Sequence, residues 1–103
     1  MAHEVIFAPE ALADLTGLYD RIAAGASPER ALAYIERLQR YCLGFATFPE
    51  RGTRRDDLRP GLRTIGYRRR VTVAFHVTPE RVVIDRVLYG GRDVEGLLAE
   101  DEG

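Results

Sequence analysis

The stretch from Leu62 to Arg92 decides the fold, and its central part reads Arg70-Val-Thr-Val-Ala-Phe-His-Val77. Apolar side chains occupy every second position there, and more polar or smaller ones stand between them. The first set is Val71, Val73, Phe75 and Val77, and the second is Arg70, Thr72, Ala74 and His76. A period of two predicts a β-strand with one buried face and one open face.

A second strand is predicted directly after the first. The run from Val82 to Tyr89 is apolar on both faces apart from Asp85 and Arg86, which is typical of a strand covered on both sides. Between the two runs lies the polar segment Thr-Pro-Glu-Arg, whose proline ends the first strand because it cannot donate to the ladder. We therefore expect a β-hairpin here, preceded by a weaker strand over residues 62–68.

Upstream of this region the pattern changes to helical periodicity. Residues 3–7 are a short strand candidate, and helices are expected to begin at Pro9 and at Pro28, the second capped by Ser27. The apolar positions recur at spacings of three and four residues. They are Leu12, Leu15, Tyr19 and Ile22 in the first helix, and Leu32 (or Ala31), Ile35, Leu38, Cys42 and Phe45 in the second. We expect Leu12, Leu15, Ile35, Leu38 and Phe45 to share one core with the strand face of Val71, Val73, Phe75 and Val77.

The order of elements is then βααβββ, which defines an α+β fold. It has an N-terminal strand, a helical hairpin, a three-stranded antiparallel meander and a short C-terminal helical turn. A length of 103 residues suits one domain, predicted to span residues 1–103. There is no apolar run of membrane-spanning length and no secretion signal, and the single Cys42 has no partner for an internal disulfide. These features favour a cytoplasmic location without membrane contact.

The charges are unevenly distributed. All 15 cationic side chains are arginines, and eleven of them lie between Arg51 and Arg92 against four acids, an excess of about seven positive charges. The last eleven residues carry five acids and no cation. The basic middle indicates an anionic or acidic partner, although a genome biased towards arginine codons explains the same composition.

Four segments, in this order, resemble the ParE branch of the RelE/ParE superfamily of bacterial toxins. They are Phe7-Ala-Pro-Glu-Ala-Leu-Ala-Asp-Leu15, Phe48-Pro-Glu-Arg-Gly52, Leu58-Arg-Pro-Gly-Leu-Arg63 and Arg86-Val-Leu-Tyr-Gly-Gly-Arg-Asp93. The resemblance implies the toxin half of a toxin–antitoxin pair, neutralised in a hetero-oligomer by a ParD-like antitoxin. ParE-type toxins poison DNA gyrase, whereas RelE-type toxins cut mRNA on the ribosome.

The residues favour the gyrase alternative over the ribonuclease. RNA cleavage needs an acid or base of suitable pKa beside cations, which RelE-type members supply with Lys and Arg on the open sheet face and a Tyr or His near the C-terminus. In this sequence lysine is absent, no Tyr or His follows Tyr89, and arginine is a poor base. On the polar strand face the candidate acid or base is His76, and a lone histidine is more often an ordinary surface residue. No metal, cofactor or phosphate-loop motif is present. We therefore predict a non-enzymatic protein–protein toxin, with a ribosome-dependent mRNA endoribonuclease as the alternative and a degenerate toxin as a third possibility.

Two sets of candidate contact residues follow. No residue is assigned a catalytic role. The candidates for target or nucleic-acid contact are Arg68, Arg69, Arg70, His76, Arg86, Tyr89 and Arg92. Four aromatic residues exceed what one narrow helical stripe needs and are candidates for antitoxin binding: Tyr19, Tyr34, Tyr41 and Phe48.

Overall fold

The computed structural model describes residues 3–90 and 94–100. It contains a mixed sheet, two long helices on one face of that sheet, and a short helix near the C-terminus. In chain order the elements are β1 (Glu4–Phe7), α1 (Pro9–Gly25), α2 (Pro28–Leu43), a 3-10 turn (Gly44–Ala46), β2 (Thr53–Arg54), β3 (Arg63–Tyr67), β4 (Val71–Val77), β5 (Arg81–Tyr89) and α3 (Val94–Glu100). Within the described residues, no helix has the length and apolarity needed to cross a membrane.

The two long helices begin where the sequence predicts. Pro9 and Pro28 each stand in the first turn, where a missing N–H costs no hydrogen bond. The Ser27 side chain accepts a hydrogen bond of 3.1 Å from the backbone N–H of Arg30, which confirms it as the cap of α2. The helical hairpin is therefore confirmed.

The sheet contains the predicted meander and two further pairings. Its strand order is β1-β5-β4-β3-β2, and β3, β4 and β5 pair antiparallel as expected. The two-residue strand β2 extends one edge, and β1 pairs in parallel with β5 at the other. Parallel strands need a long crossover connection, and the connection from β1 to β5 begins with α1 and α2. The α+β class and the order of elements are confirmed, whereas the three-stranded meander describes only part of a five-stranded sheet.

The main core lies between the helices and the inner face of the sheet. The predicted strand face is confirmed: Val71, Val73 and Phe75 are buried, and Val77 is half-buried and packs against them. They meet Leu15, Ile35, Leu38 and Phe45, as expected.

The prediction for Leu12 is wrong, because its side chain is 49% exposed. The inward stripe of α1 runs through Ala11, Leu15 and Leu18 instead. These positions keep the three- and four-residue spacing, and the small Ala11 lets the helix approach the sheet closely. In α2, too, the alanine is buried in place of the neighbouring leucine: Ala31 is buried and Leu32 is exposed.

The opposite, outer face of the sheet is partly covered. Four buried side chains form a second apolar cluster there: Leu62, Ala74, Leu88 and Leu98. Leu98 belongs to α3, and Arg55 in the loop before β3 pairs with Glu95 of the same helix. The strand β5 is thus covered on both sides, as its composition predicts, and the polar face of β4 is less open than its alternation suggests.

Candidate target-binding surface

The structure separates the predicted target contacts into different places. Arg86 faces α1, His76 lies on the outer face of the sheet, and Arg68, Arg69, Arg70 and Tyr89 gather at one end of it. Arg92 lies outside the described residues. The six candidates within the described residues therefore do not form one site.

Arg86 is engaged within the fold. Its Nε and one terminal nitrogen donate to the two carboxylate oxygens of Asp14 on α1, at 2.7 and 3.0 Å. The same carboxylate accepts from the backbone N–H of Val87 at 2.9 Å. Both charged side chains are only 12–14% exposed. The pair joins α1 to β5.

A β-bulge gives Arg86 this direction. Ala74 pairs with Arg86 and the next residue, Phe75, pairs with Ile84, so β5 carries one extra residue, Asp85. Ile84 and Val87 consequently face the same core although they are three positions apart in the strand. The Val87 N–H lies next to this irregularity, and Asp14 supplies its acceptor.

His76 belongs to a small polar cluster on the outer face. Its Nδ1 lies 2.7 Å from a carboxylate oxygen of Asp85, and Arg59 lies 3.1 Å from the same oxygen. The histidine is 38% exposed, whereas Asp85 is 16% exposed. In many catalytic pairs a carboxylate orients a histidine that acts as the base. This cluster is therefore the place to test for nuclease activity.

The turn between β3 and β4 has an unusual composition. The N–H of Arg70 donates to the carbonyl oxygen of Tyr67 at 3.3 Å, which closes a turn over Arg68 and Arg69. Both central residues have positive φ, 52° and 65°. Two positive φ angles mark a type I′ turn, in which Asn-Gly is preferred. Each arginine gives up about 1–2 kcal/mol by adopting the left-handed conformation.

Tyrosine rings hold several arginines at this end of the sheet. The guanidinium of Arg68 lies 5.6 Å from the ring centroid of Tyr67 and donates to its hydroxyl. Arg21, from α1, lies over the Tyr89 ring at 4.6 Å, and Arg70 lies 3.4 Å from the Tyr89 hydroxyl. These contacts fix the position of the guanidinium groups but leave their charge in place.

Arg37 of α2 adds a further charge near the same rings. Burial raises the pKa of the Tyr34 hydroxyl, while the positive charges of Arg68 and Arg37 act in the opposite direction. Tyr34 itself packs edge-on against Tyr67, with ring centroids 5.9 Å apart. We name the group of Arg21, Arg37, Arg68, Arg69 and Arg70 the arginine cluster.

The arginine cluster differs in its partners from five of the other described arginines, while Arg30, Arg40, Arg51 and Arg63 resemble it in forming no ion pair. Arg54, Arg55, Arg59, Arg81 and Arg86 each form an ion pair with a carboxylate. Over residues 3–90 and 94–100, no ion pair involves a member of the arginine cluster. The sequence indicated the triplet 68–70, but Arg21 and Arg37 are missed because only the fold brings their helices to this end of the sheet.

The antitoxin candidates also occupy separate places. Tyr19 lines an apolar groove of about 340 Å³ between α1 and α2, together with Leu12, Leu15, Thr16, Ile35 and Gln39. Phe48 is 69% exposed beside a second hollow that includes Pro49 and Val77. Tyr34 and Tyr41 are half-buried and pack on Tyr67. The helical periodicity of the sequence places Leu12 in the core, so its position at the groove surface is not predicted.

Within the described ranges there is no group of three potential metal-ligating side chains. The thiol of the single cysteine is also inaccessible to solvent. Cys42 is completely buried, and this burial raises the pKa of its thiol to about 12. Its nucleophilic thiolate form is therefore suppressed at neutral pH.

Comparison with known proteins agrees with this architecture. A solved chain described as "Chromosomal ParDE TA system from P. aeruginosa" has the same fold, with a TM-score of 0.75 and 23% sequence identity. The match covers 86% of this chain and 97% of that one. A search of curated proteins gives no match. The family model described as ParE toxin of type II toxin-antitoxin system, parDE, matches residues 5–94. The chain thus belongs to the ParE toxin family.

Proposed function

We propose that this protein is the toxin of a ParDE-type pair, that it inhibits DNA gyrase in the cytoplasm by binding to it, and that a ParD-like antitoxin neutralises it. The observation that carries the proposal is the family match over residues 5–94, which covers both long helices and all of the sheet except its first residue, Glu4. The similar solved structure comes from a ParDE system, which supports an antitoxin partner of that kind.

The geometry supports inhibition by binding rather than by bond cleavage. The charged groups on the outer sheet face are occupied with one another, since His76 and Arg59 share the Asp85 carboxylate. The arginine cluster lies at the end of the sheet and contains no group that exchanges a proton near neutral pH. It suits contact with an anionic surface better than acid–base catalysis.

The groove between α1 and α2 is the proposed antitoxin site. It is lined by apolar side chains, and Leu12 on its rim is 49% exposed. An amphipathic helix binds such a groove through apolar residues at three- and four-residue spacing. Tyr19 contributes an aromatic wall, and the exposed Phe48 offers a second anchor for a segment that wraps around the toxin.

The His76–Asp85 pair favours a second candidate function, that of an endoribonuclease. Asp85 fixes the His76 ring at 2.7 Å, as an orienting carboxylate does for a general base, and Arg59 places a cation beside the pair. A ribosome-dependent endoribonuclease would use such a pair to activate a ribose 2′-hydroxyl.

One experiment separates the two functions. The full chain is added to purified gyrase in a supercoiling assay and, in parallel, to a translating ribosome extract with a labelled mRNA. We expect loss of supercoiling without mRNA cleavage, and His76→Gln should inhibit gyrase as well as the wild type does. Ribosome-dependent cleavage that His76→Gln abolishes, with supercoiling unaffected, would contradict the proposal and support the nuclease.

A further inference from the structure

We propose that the arginine cluster (Arg21, Arg37, Arg68, Arg69 and Arg70) binds the phosphate backbone of a polynucleotide. Under the function proposed above, on which this setting rests, the polynucleotide is the DNA segment that gyrase holds. The toxin would then contact the enzyme and its DNA together.

The first support is charge without compensation. The whole chain has a net charge of −1, so a general attraction to polyanions is absent. The charge is nevertheless concentrated. Three consecutive arginines occupy the β3–β4 turn, Arg21 of α1 lies over the Tyr89 ring whose hydroxyl Arg70 contacts, and the charges of Arg37 of α2 and Arg68 both act on Tyr34. None of the ion pairs in the described part of the chain includes these five residues.

The second support is the way the guanidinium groups are held. Arg21 lies on the Tyr89 ring, Arg68 lies near the Tyr67 ring, and Arg70 reaches the Tyr89 hydroxyl. A guanidinium fixed from one side keeps its remaining N–H groups free to donate to an oxyanion. The planar fork of arginine matches phosphate oxygens in a bidentate manner.

The third support is the turn. Arg68 and Arg69 occupy two positions with positive φ, where asparagine and glycine are preferred. A strained conformation at exposed arginines is a signal of function when the surrounding structure maintains it. Here the pairing of β3 with β4 runs up to Tyr67 and Val71 on either side.

The same features favour phosphate over an acidic protein. Stable protein interfaces are centred on an apolar or aromatic anchor. Tyr67 is only 8% exposed, and Arg21 covers the Tyr89 ring. The exposed large hydrophobic residues of the described chain are Ile6, Leu12, Leu32, Leu43 and Phe48, none of which belongs to β3, β4 or β5. The β3–β4 turn therefore presents charge without an exposed apolar anchor on its own strands, which suits sequence-independent backbone contact.

The test measures binding of the full chain to a short labelled DNA duplex by fluorescence anisotropy at several salt concentrations. With three to five phosphates contacted, we expect log K to fall against log salt concentration with a slope of about −3 to −4.5. The key variant is Arg68→Asn with Arg69→Gly. It removes two charges, supplies the preferred turn residues and keeps the hairpin folded, as thermal unfolding will verify.

This double variant should lose about tenfold or more in DNA affinity and reduce the size of the slope by about two. Arg21→Gln, on another element, should reduce it by about one. The matched control is Arg81→Gln, at the opposite end of β5, where the arginine is 53% exposed and paired with Glu4. It should change the affinity less than twofold.

Several outcomes would overturn the inference: no DNA binding at low salt, an equal loss in Arg81→Gln, or unchanged DNA binding in the double variant together with lost gyrase or antitoxin binding. The last of these would identify an acidic protein as the partner. A single-stranded RNA of equal length forms the second arm. Tighter binding of RNA, lost in the same variants, would keep the phosphate site and assign it to RNA.

The gyrase assay distinguishes failure of this inference from failure of the proposed function. Gyrase inhibition without DNA binding by the toxin would refute only the phosphate site. DNA binding that depends on the arginine cluster, without any effect on gyrase, would refute only the proposed function.

Discussion

Asp14 and Arg86, 72 positions apart in the sequence, form a two-pronged ion pair that also secures the backbone of Val87. The carboxylate thus serves three donors from the bulged part of β5. Since the pair is almost withdrawn from solvent, truncation of one partner removes the counter-charge that this pair supplies to the other.

We expect Asp14→Ala to destabilise the fold by about 3 kcal/mol, the lower end for a broken buried pair. Urea unfolding of Asp14→Ala, Arg86→Ala and the double variant gives the coupling energy. The control is the exposed pair of Arg81 and Glu4, whose coupling should stay below about 1 kcal/mol. Equal coupling energies in the two pairs would contradict the structural importance of Asp14.

Phe75→Ala should cost about 3–5 kcal/mol, because the ring is completely buried against Phe45 and leaves a cavity. Phe48→Ala removes an identical ring that is 69% exposed and should change the free energy of unfolding by less than about 0.5 kcal/mol. Chemical denaturation of both variants checks the expectation. Similar losses would show that the assignment of faces is wrong.

Leu12→Ser should weaken antitoxin binding by about tenfold or more, equal to about 1.4 kcal/mol, without a comparable loss of stability. The leucine lines the groove between the helices and is 49% exposed. Leu43→Ser, at the end of α2 and 53% exposed, is the matched control. Calorimetric titration with the antitoxin should distinguish them, and equal affinities would place the antitoxin elsewhere.

The thiol of Cys42 should resist alkylation in the native state. Burial raises its pKa from 9.0 to about 12, so at pH 8 the folded protein holds the neutral thiol. The stability that this shift represents is complete below pH 9.0 and is lost as the pH rises towards about 12. Iodoacetamide labelling at pH 8 should therefore follow the unfolding transition in urea, and rapid labelling without denaturant would disprove the buried position.

What the sequence predicts well in this protein is local. The alternation of Val71, Val73 and Phe75 requires only neighbouring residues, and so do Ser27 and Pro28 at the start of α2. In β5 the buried positions Val82 and Ile84 are followed by Val87, and this change of phase indicates the bulge.

What it does not predict depends on distant parts of the chain. Hydrophobicity alone places Leu12 in the core, but the approach of α1 to the sheet selects Ala11. The parallel pairing of β1, the contact between Asp14 and Arg86 and the position of Arg21 over Tyr89 all join segments far apart in sequence. The sequence therefore indicates the three consecutive arginines of the turn, Arg68 to Arg70, but the other members of the arginine cluster are identified only from the folded structure.

The parallel pairing of β1 also determines when the toxin can be completed during its synthesis. Glu4 pairs with Arg81 and Phe7 with Ile84, so the first strand has no partner until residue 81 of 103 has left the ribosome. The contact of Asp14 with Arg86 forms no earlier. The helical hairpin consists of near neighbours and can assemble well before that point. A nascent chain therefore exposes the groove between α1 and α2 before it possesses a finished sheet, and a message that ends before residue 81 encodes a chain in which β1 lacks its pairing partner.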